Sequence, residues 1–230
     1  MNIYAFYDNL ENFPCQDNQD SACRDHYKEL IDIWQKSWKY YGWNPVIVTL
    51  NDAKKHKDYE KLFEICRKRP TVNRKDFETL CFLRWLSMHD KSGWYADVDM
   101  INYGFEPVDY SDLVVTANYA EVLHASCFSM PNQKYNQLID EIVNYELEPD
   151  DFIMINNVKK QHISDMIVMS KTKIKIDKTL SVYSEYNKSI FSHRDLIVHY
   201  TSNCSIFNEK DKNKSRLQII KEDPRSKKFL

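Results

Sequence analysis

The sequence predicts an α/β protein with a mixed, mostly parallel central sheet. Short β-rich runs alternate with helical apolar stripes through the first hundred residues, the order that parallel strands and helical crossovers require. A chain of 230 residues suffices for one domain with a substantial core. Hydrophobic residues make up 43% and charged residues 29%, with a mean hydropathy of −0.63, which suits neither a membrane-embedded nor a disordered chain.

Ile3–Tyr7 is a β-rich run ending at Asp8-Asn9 and is expected as the first, central strand. Residues 10–24 are polar, hold a proline and read as a loop. From Asp25, Tyr27, Leu30, Ile31, Trp34, Trp38 and Tyr41 recur at helical spacing, and Gly42 follows as a C-cap. Pro45–Leu50 reads as a second strand and residues 55–68 as an amphipathic helix. Arg74–His89 predicts a more apolar helix, with Phe77, Leu80, Cys81, Trp85 and Met88 on one stripe. Ser92-Gly93 ends it, and Trp94–Ile101 is expected as a strand.

Beyond Pro107 the pattern changes. Leu113–Ala117 and Ala125–Met130 read as strands, residues 132–146 and 151–161 as helices, and Met166–Met169, Lys173–Ile176 and Leu196–Tyr200 as short strands. The segment from Glu209 is rich in Lys and Arg and reads as a solvated helix or frayed end. No repeat or low-complexity linker divides the chain. It is expected as one domain, 1–230, with a first half (1–101), a second half (102–208) and a charged C-terminal tail (209–230).

Composition excludes several functions. Three glycines, Gly42, Gly93 and Gly104, cannot supply a dinucleotide fingerprint or a P-loop. Lys and Arg total 32 against 34 acids, so no global field favours nucleic acid or an acidic membrane. The N-terminus has no signal-like pattern, and no run of about 18 apolar residues occurs. A soluble, cytoplasmic protein is expected. The six cysteines form no C-x-x-C and suit no zinc site; reduced, structural thiols are expected, with a Cys15–Cys23 bridge as the alternative.

The segment FLRWLSMHDKSGWYADVDMI, residues 82–101, carries the chemistry. Asp97 and Asp99 flank Val98, and on a strand they project to one side. Two carboxylates so placed can share a Mg²⁺ or Mn²⁺ ion, which in turn can hold a diphosphate. With 21 aspartates, about two D-x-D spacings are expected by chance, and the chain has one. The context therefore matters more than the spacing: an apolar helix with an arginine, a glycine turn, an aromatic strand, then the acids. Asp8, at the end of the first strand, can accept an N–H from a base, with Tyr7 or Tyr4 stacked on it, or simply cap the turn. His199 ends a strand before Thr201-Ser202-Asn203 and is either a neutral metal ligand or a structural histidine. Candidate catalytic bases after the motif are Asp150, Asp151 and Asp165.

This segment resembles the DxD-containing glycosyltransferases, such as capsular-polysaccharide and initiating mannosyl transferases, in the region that reads D-L-L-R-Y, helix, G-G, aromatic, D-x-D. Arg84, Gly93, Tyr95, Asp97 and Asp99 fall in register; Ser92 stands for the family's first glycine and Cys81 for its helix aspartate. The late histidine, followed by a gap and a serine, is matched by His199 and Ser202, without the family's tryptophan. Short members of this kind occur in bacteria and large DNA viruses. The resemblance implies a GT-A-like, three-layer α/β/α sandwich and transfer of a sugar, with Mn²⁺ or Mg²⁺, from a nucleotide-sugar donor (a UDP-sugar) to a glycan or glycolipid acceptor. It implies that Asp97, Asp99 and His199 hold the metal, and that Asp8, Tyr7, Arg84 and Ser202 help to bind the donor. Two other readings stay open. A D-x-D phosphohydrolase carries D-x-D-x-T on its first strand, whereas here Ile101 takes the threonine place and the motif lies mid-chain. A non-catalytic carbohydrate-binding module would draw on the 13% aromatic content, although Trp34, Trp38 and Trp85 read as core.

Overall fold

The computed structural model describes residues 1–8, 20–117, 123, 126–186, 195–201 and 214–230, with the backbone alone over 20–26. The first half runs β1 (Asn2–Phe6), α1 (Asp20–Tyr40), β2 (Asn44–Val48), α2 (Leu50–Ala53), α3 (Tyr59–Lys68), α4 (Lys75–Leu86), β3 (Gly93–Ala96) and β4 (Met100–Asn102). The second half runs β5 (Val115–Thr116), β6 (Cys127–Met130), α5 (Asn132–Val143), β7 (Phe152–Ile155), β8 (Val158–Gln161), α6 (Asp165–Ser170), β9 (Lys178–Thr179), β10 (Tyr183–Glu185), β11 (Ile197–His199) and α7 (Arg216–Glu222), and closes on a 3₁₀ turn, Pro224–Lys228.

The central sheet has the order β2-β1-β3-β6-β5-β9. β1 is parallel to both β2 and β3, β6 is antiparallel to β3 and β5, and β9 is parallel to β5. The sheet is thus mixed and mostly parallel. β10-β11-β4 form a second, three-stranded sheet, and β7-β8 a separate hairpin. Strand pleating sorts the core into two clusters. Tyr4, Tyr95 and Phe128 point into one, with residues of α3 to α6. Ile3, Ala5, Trp94, Ala96 and Cys127 point into the other, with Trp34 and Trp38 of α1 and Leu217, Ile219 and Ile220 of α7. Trp34, Trp38 and Trp85 are fully buried, as expected. Two indole N–H groups are satisfied deep in this core, Trp38 donating to Met100 O at 3.0 Å and Trp43 to Phe105 O at 2.7 Å, whereas that of Trp34 is buried without a partner among the described residues. Gly42 and Gly93 adopt φ of +90° and +102°, which glycine takes without strain. Among the described residues no helix is long and apolar enough to cross a membrane. Cys66, Cys81 and Cys127 are free thiols; Cys15 and Cys204, and the side chain of Cys23, lie outside the described residues.

Several sequence expectations are corrected. Residues 151–161 form the β7–β8 hairpin, not a helix. Asn156 and Asn157 take φ of 49° and 64°, the left-handed pair that a two-residue hairpin turn demands and that Asn tolerates. Met166–Met169 lies in α6, not in a strand, because Ser164 caps that helix by accepting from Ile167 N–H. Lys173–Ile176 is irregular, and the strand falls at β9. Phe77 is 48% exposed, while Glu78, Thr79, Phe82, Leu83 and Leu86 are buried. α4 packs against α2, α3, α5 and α6, so a single stripe does not describe it. The described part of the basic tail is no frayed end: Ser215 and Gln218 form a capping box, and Leu217, Ile219, Ile220 and Phe229 enter the core.

Candidate active site

β3 lies in the central sheet and β4 in the second sheet, and the chain passes between them in one turn. Met100 N–H bonds Asp97 O at 2.9 Å to close it. Asp97 and Asp99 therefore stand in this turn, not on one face of a continuous strand. Where a chain changes sheets the pleat is interrupted, and alternation no longer fixes side-chain direction. The turn is pinned at both acids. Asp97 N–H donates to Ser126 O at 2.9 Å, ahead of β6, and Asp99 O accepts from Tyr200 N–H at 3.0 Å, after β11.

Each carboxylate meets an arginine from a distant element. Asp97 Oδ1 accepts from Arg84 Nη1 at 2.9 Å and from Tyr95 Oη at 2.8 Å. Asp99 Oδ2 accepts from Arg216 Nη1, the first residue of α7, at 2.7 Å. Asp99 Oδ1 lies 3.3 Å from His199 Nε2, at the end of β11, but is buried without an aligned hydrogen-bond partner. Tyr183 Oη lies 3.0 Å from the other ring nitrogen of His199. Arg84 also donates to Asp165 Oδ2 through Nε (2.9 Å) and Nη2 (2.5 Å), and Trp85 Nε1 reaches the same oxygen at 2.9 Å. The guanidinium lies over the Trp85 ring, 4.6 Å from its centroid. Asp165 is 2% exposed at the start of α6, so one acid of the expected set is sealed behind Arg84.

These environments push the two motif acids apart. Burial raises Asp97 to about 6, helped by the like charge of Asp99 and opposed by Arg84. Burial also acts upward on Asp99, but His199 and Arg216 outweigh it and hold this carboxyl below its usual range. Burial lowers His199, and Asp99 more than compensates, so its imidazole titrates above its ordinary value. Asp97 thus titrates well above an ordinary aspartate because desolvation opposes its ionisation.

Other expected residues fall as follows. β1 and β3 are parallel neighbours, so Asp8, just past β1, lies at the same rim of the sheet as Asp97. The Tyr7 ring lies 6.2 Å from that of Tyr27. Tyr4 is 7% exposed within the core and is not placed to stack on a base. Ser202 lies outside the described residues. Asp150 and Asp151 are held by Lys171 Nζ at 2.9 and 2.7 Å, in a cluster of their own with Glu148. Cys81 gathers with Glu78 and Asp165, and burial raises its thiol well above the usual range, so it is no anion where the resembled family has an aspartate.

Sequence reasoning missed Arg216 and Tyr183 as partners in the site, and gave Tyr95 a place in the motif without its bond to Asp97. The signal for Arg216 was present: Ser215-x-x-Gln218 ahead of an apolar Ile219-Ile220 pair marks a helix start. Nothing in the sequence pairs its charge with Asp99, 117 positions away.

No family model matches the chain, and no curated protein matches it. Among solved structures the chain is similar to one named PaToxG Glycosyltransferase, at 14% identity and a TM-score of 0.42. The match covers 74% of this chain and 66% of that one, just under two thirds of its length.

Proposed function

We propose that the chain is a metal-dependent glycosyltransferase of GT-A-like, three-layer α/β/α architecture. It transfers a sugar from a nucleotide-sugar donor, a UDP-sugar, to a glycan or glycolipid acceptor. One observation carries the reading: at the carboxyl end of β3 a single turn presents Asp97 and Asp99 to Arg84, Arg216 and His199, which come from three other elements. Ligands of α/β sheets bind beyond the carboxyl ends of the strands, and Asp8 lies at the same rim.

Asp99 and His199 bring an oxygen and an imidazole donor together for a divalent cation, while Asp97, held by Arg84 and Tyr95, does not close a three-ligand group with them. Asp99 Oδ1 is a buried carboxylate oxygen without a hydrogen-bond partner, and the His199 imidazole stands beside it. Oxygen and imidazole donors together suit Mn²⁺ or Mg²⁺. Asp99 and His199 would hold the ion, and in this reading Asp97 joins them only on binding. When bound, the ion neutralises charge that grows on a departing nucleoside diphosphate. Tyr183 orients the His199 ring through its far nitrogen, as outer partners of ligating histidines do. Arg84 fixes Asp97, and Asp165 fixes Arg84, which gives Asp165 a positioning role rather than that of a free base. Asp8 and Tyr7 serve the base, and Ser202 adjoins His199 along the chain. In this reading residues 1–101 form the donor half of one domain, 102–208 the acceptor half, and the tail closes the site.

A thermal-shift panel of UDP, GDP, TDP and CDP, each with and without Mn²⁺, tests this. A ligand that binds only the folded state raises its stability by mass action. UDP with Mn²⁺ should give the largest rise, and EDTA should remove it. A panel with no shift, or shifts indifferent to EDTA, would sink the proposal.

A further inference from the structure

We infer that Arg216, at the start of the C-terminal helix, is a diphosphate-binding residue that makes the cation and the nucleoside diphosphate bind together. The inference rests on the glycosyltransferase reading and adds to it a residue from outside the motif. Arg216 Nη1 donates to Asp99 Oδ2 at 2.7 Å and to Tyr200 O at 3.4 Å, and Asp99 Oδ1 is turned to His199. Guanidinium and prospective ion thus occupy the two oxygens of one carboxylate. A diphosphate bound to the ion at Oδ1 comes within reach of the arginine at Oδ2. A guanidinium fork is well suited to receive phosphate oxygens.

The footing of Arg216 is stronger than a surface ion pair needs. Its side chain is 12% exposed and lies 5.7 Å from the centroid of the Tyr27 ring. Leu217, Ile219 and Ile220 sink α7 into the core. Just past the helix, Asp223 accepts from Tyr200 Oη at 2.7 Å, and Tyr200 follows His199 directly. The helix is therefore tied to the strand end that carries the histidine.

Charge decides the order of binding. Asp97, Asp99 and Asp165 face two guanidinium groups, Arg84 and Arg216, beside the His199 imidazole. A bare dication entering here meets arginines that already neutralise its ligands. Accompanied by a nucleoside diphosphate, whose negative charge at least offsets its own, it brings no net positive charge, and Arg216 can pass from Asp99 to a phosphate oxygen. In free protein Arg216 opposes the ion; in the complex it favours the pair.

The test is calorimetric binding of Mn²⁺ alone, UDP alone and Mn²⁺ with UDP, to wild type, Arg216→Gln and Arg216→Lys. Wild type should bind the pair at least about ten-fold more tightly than either component, as expected where a charge-assisted contact is gained. Arg216→Gln should weaken the pair by about ten-fold or more while tightening bare Mn²⁺. That crossover is diagnostic: a purely structural arginine moves both affinities the same way or neither, and a simple competitor with the cation strengthens both. Arg216→Lys keeps the charge and loses the fork, so bare Mn²⁺ binding should stay at the wild-type level and the pair should weaken several-fold. If the Gln variant does not fold, the Lys variant decides, and unchanged affinity for the pair overturns the inference. Wild type that binds Mn²⁺ with UDP, alongside a Gln variant that binds it equally well, removes Arg216 and leaves the glycosyltransferase reading standing. Wild type that binds none of the four nucleoside diphosphates with Mn²⁺ overturns both.

Discussion

Two acidic clusters invite comparison. Glu148, Asp150 and Asp151 converge on Lys171 Nζ at 2.7 to 2.9 Å, with Asp151 also accepting from Tyr145 Oη and Glu148 N–H. Burial works against Asp151, but these bonds prevail, and both Asp150 and Asp151 titrate below their usual range. Every charge in that cluster is answered. Around Asp97 and Asp99 the acids are answered unevenly: one is pushed up to about 6, the other is held down, and a buried oxygen lacks a hydrogen-bond partner. Fully satisfied carboxylates stabilise a fold. Two neighbouring acids driven apart, one of them facing an imidazole, form the pattern of a group kept for a ligand.

The sharpest way to break this contrast is at Arg84, which serves structure and site together. Arg84→Ala leaves Asp165, 3% exposed, with Trp85 as its remaining donor to Oδ2, and strips Asp97 of its cation. Uncovering a buried charge costs about 3–5 kcal/mol, so the urea midpoint should fall steeply. A midpoint within error of wild type would show that the pair adds nothing to the fold. Next in size is Asp99→Asn, which keeps the shape and removes the charge. Mn²⁺-dependent UDP binding should fall on the order of 100-fold, with stability lowered by only about 1–2 kcal/mol. The Ala replacement is a poorer probe than the motif alone suggests, because it leaves Arg216 and His199 facing a void. An Asn variant with wild-type affinity would remove the acid from the site.

How much of this was legible in the sequence follows from the range of the interactions. β1, β2, β3 and α3 were readable because their patterning is local; α4 was placed, but its stripe was not, because it packs against four helices. β7–β8 was misread because Phe-Ile-Met-Ile reads as strand or helix until the left-handed Asn156-Asn157 turn decides it. The candidate residues Asp97, Asp99 and His199 were legible as residue types, but the reason for their nearness was not: a turn between sheets and the end of β11 bring them together. Arg216 and Tyr183 were not legible, since only the closed fold brings charges 117 positions apart to 2.7 Å.

pH sharpens the comparison further. The folded-state value of Asp97 is raised, so in ligand-free protein this group's contribution to stability is present below about pH 4 and is lost as pH rises through about 6. Asp150 and Asp151, lowered, behave oppositely: their contribution is present above about pH 4 and is lost as pH falls further. Cation binding needs Asp97 ionised and His199 neutral, so the stabilisation by Mn²⁺ with UDP should shrink as pH falls through about 6. Asp97→Asn should flatten the ligand-free dependence between about pH 4 and 6. His199→Ala should remove the upper part of the dependence, because Asp99 raises the imidazole above its ordinary value, and leave the part that Asp97 sets at about 6. Melting curves across pH 4 to 8, with and without ligand, check the sign, and parallel slopes in the two series would contradict it.

The smallest effect should come from Lys171→Met, on the other side of the contrast. Lys171 is partly exposed, at 26% of its side chain, and two of its three partners, Glu148 and Asp150, are more exposed still. Water can take over most of what the ammonium supplies to them. Asp151 keeps its Tyr145 and Glu148 N–H donors, so its buried carboxylate is not abandoned. The loss should be about 1 kcal/mol, the upper part of the range for exposed ion pairs, and should shrink in high salt as screening weakens what remains. Affinity for Mn²⁺ with UDP should not change, because Lys171 Nζ bonds Glu148, Asp150 and Asp151, none of which bonds Asp97, Asp99 or His199. A Lys171→Met protein that keeps its stability but loses nucleotide binding would move the ligand site to this cluster and undo the distinction drawn between the two groups of acids.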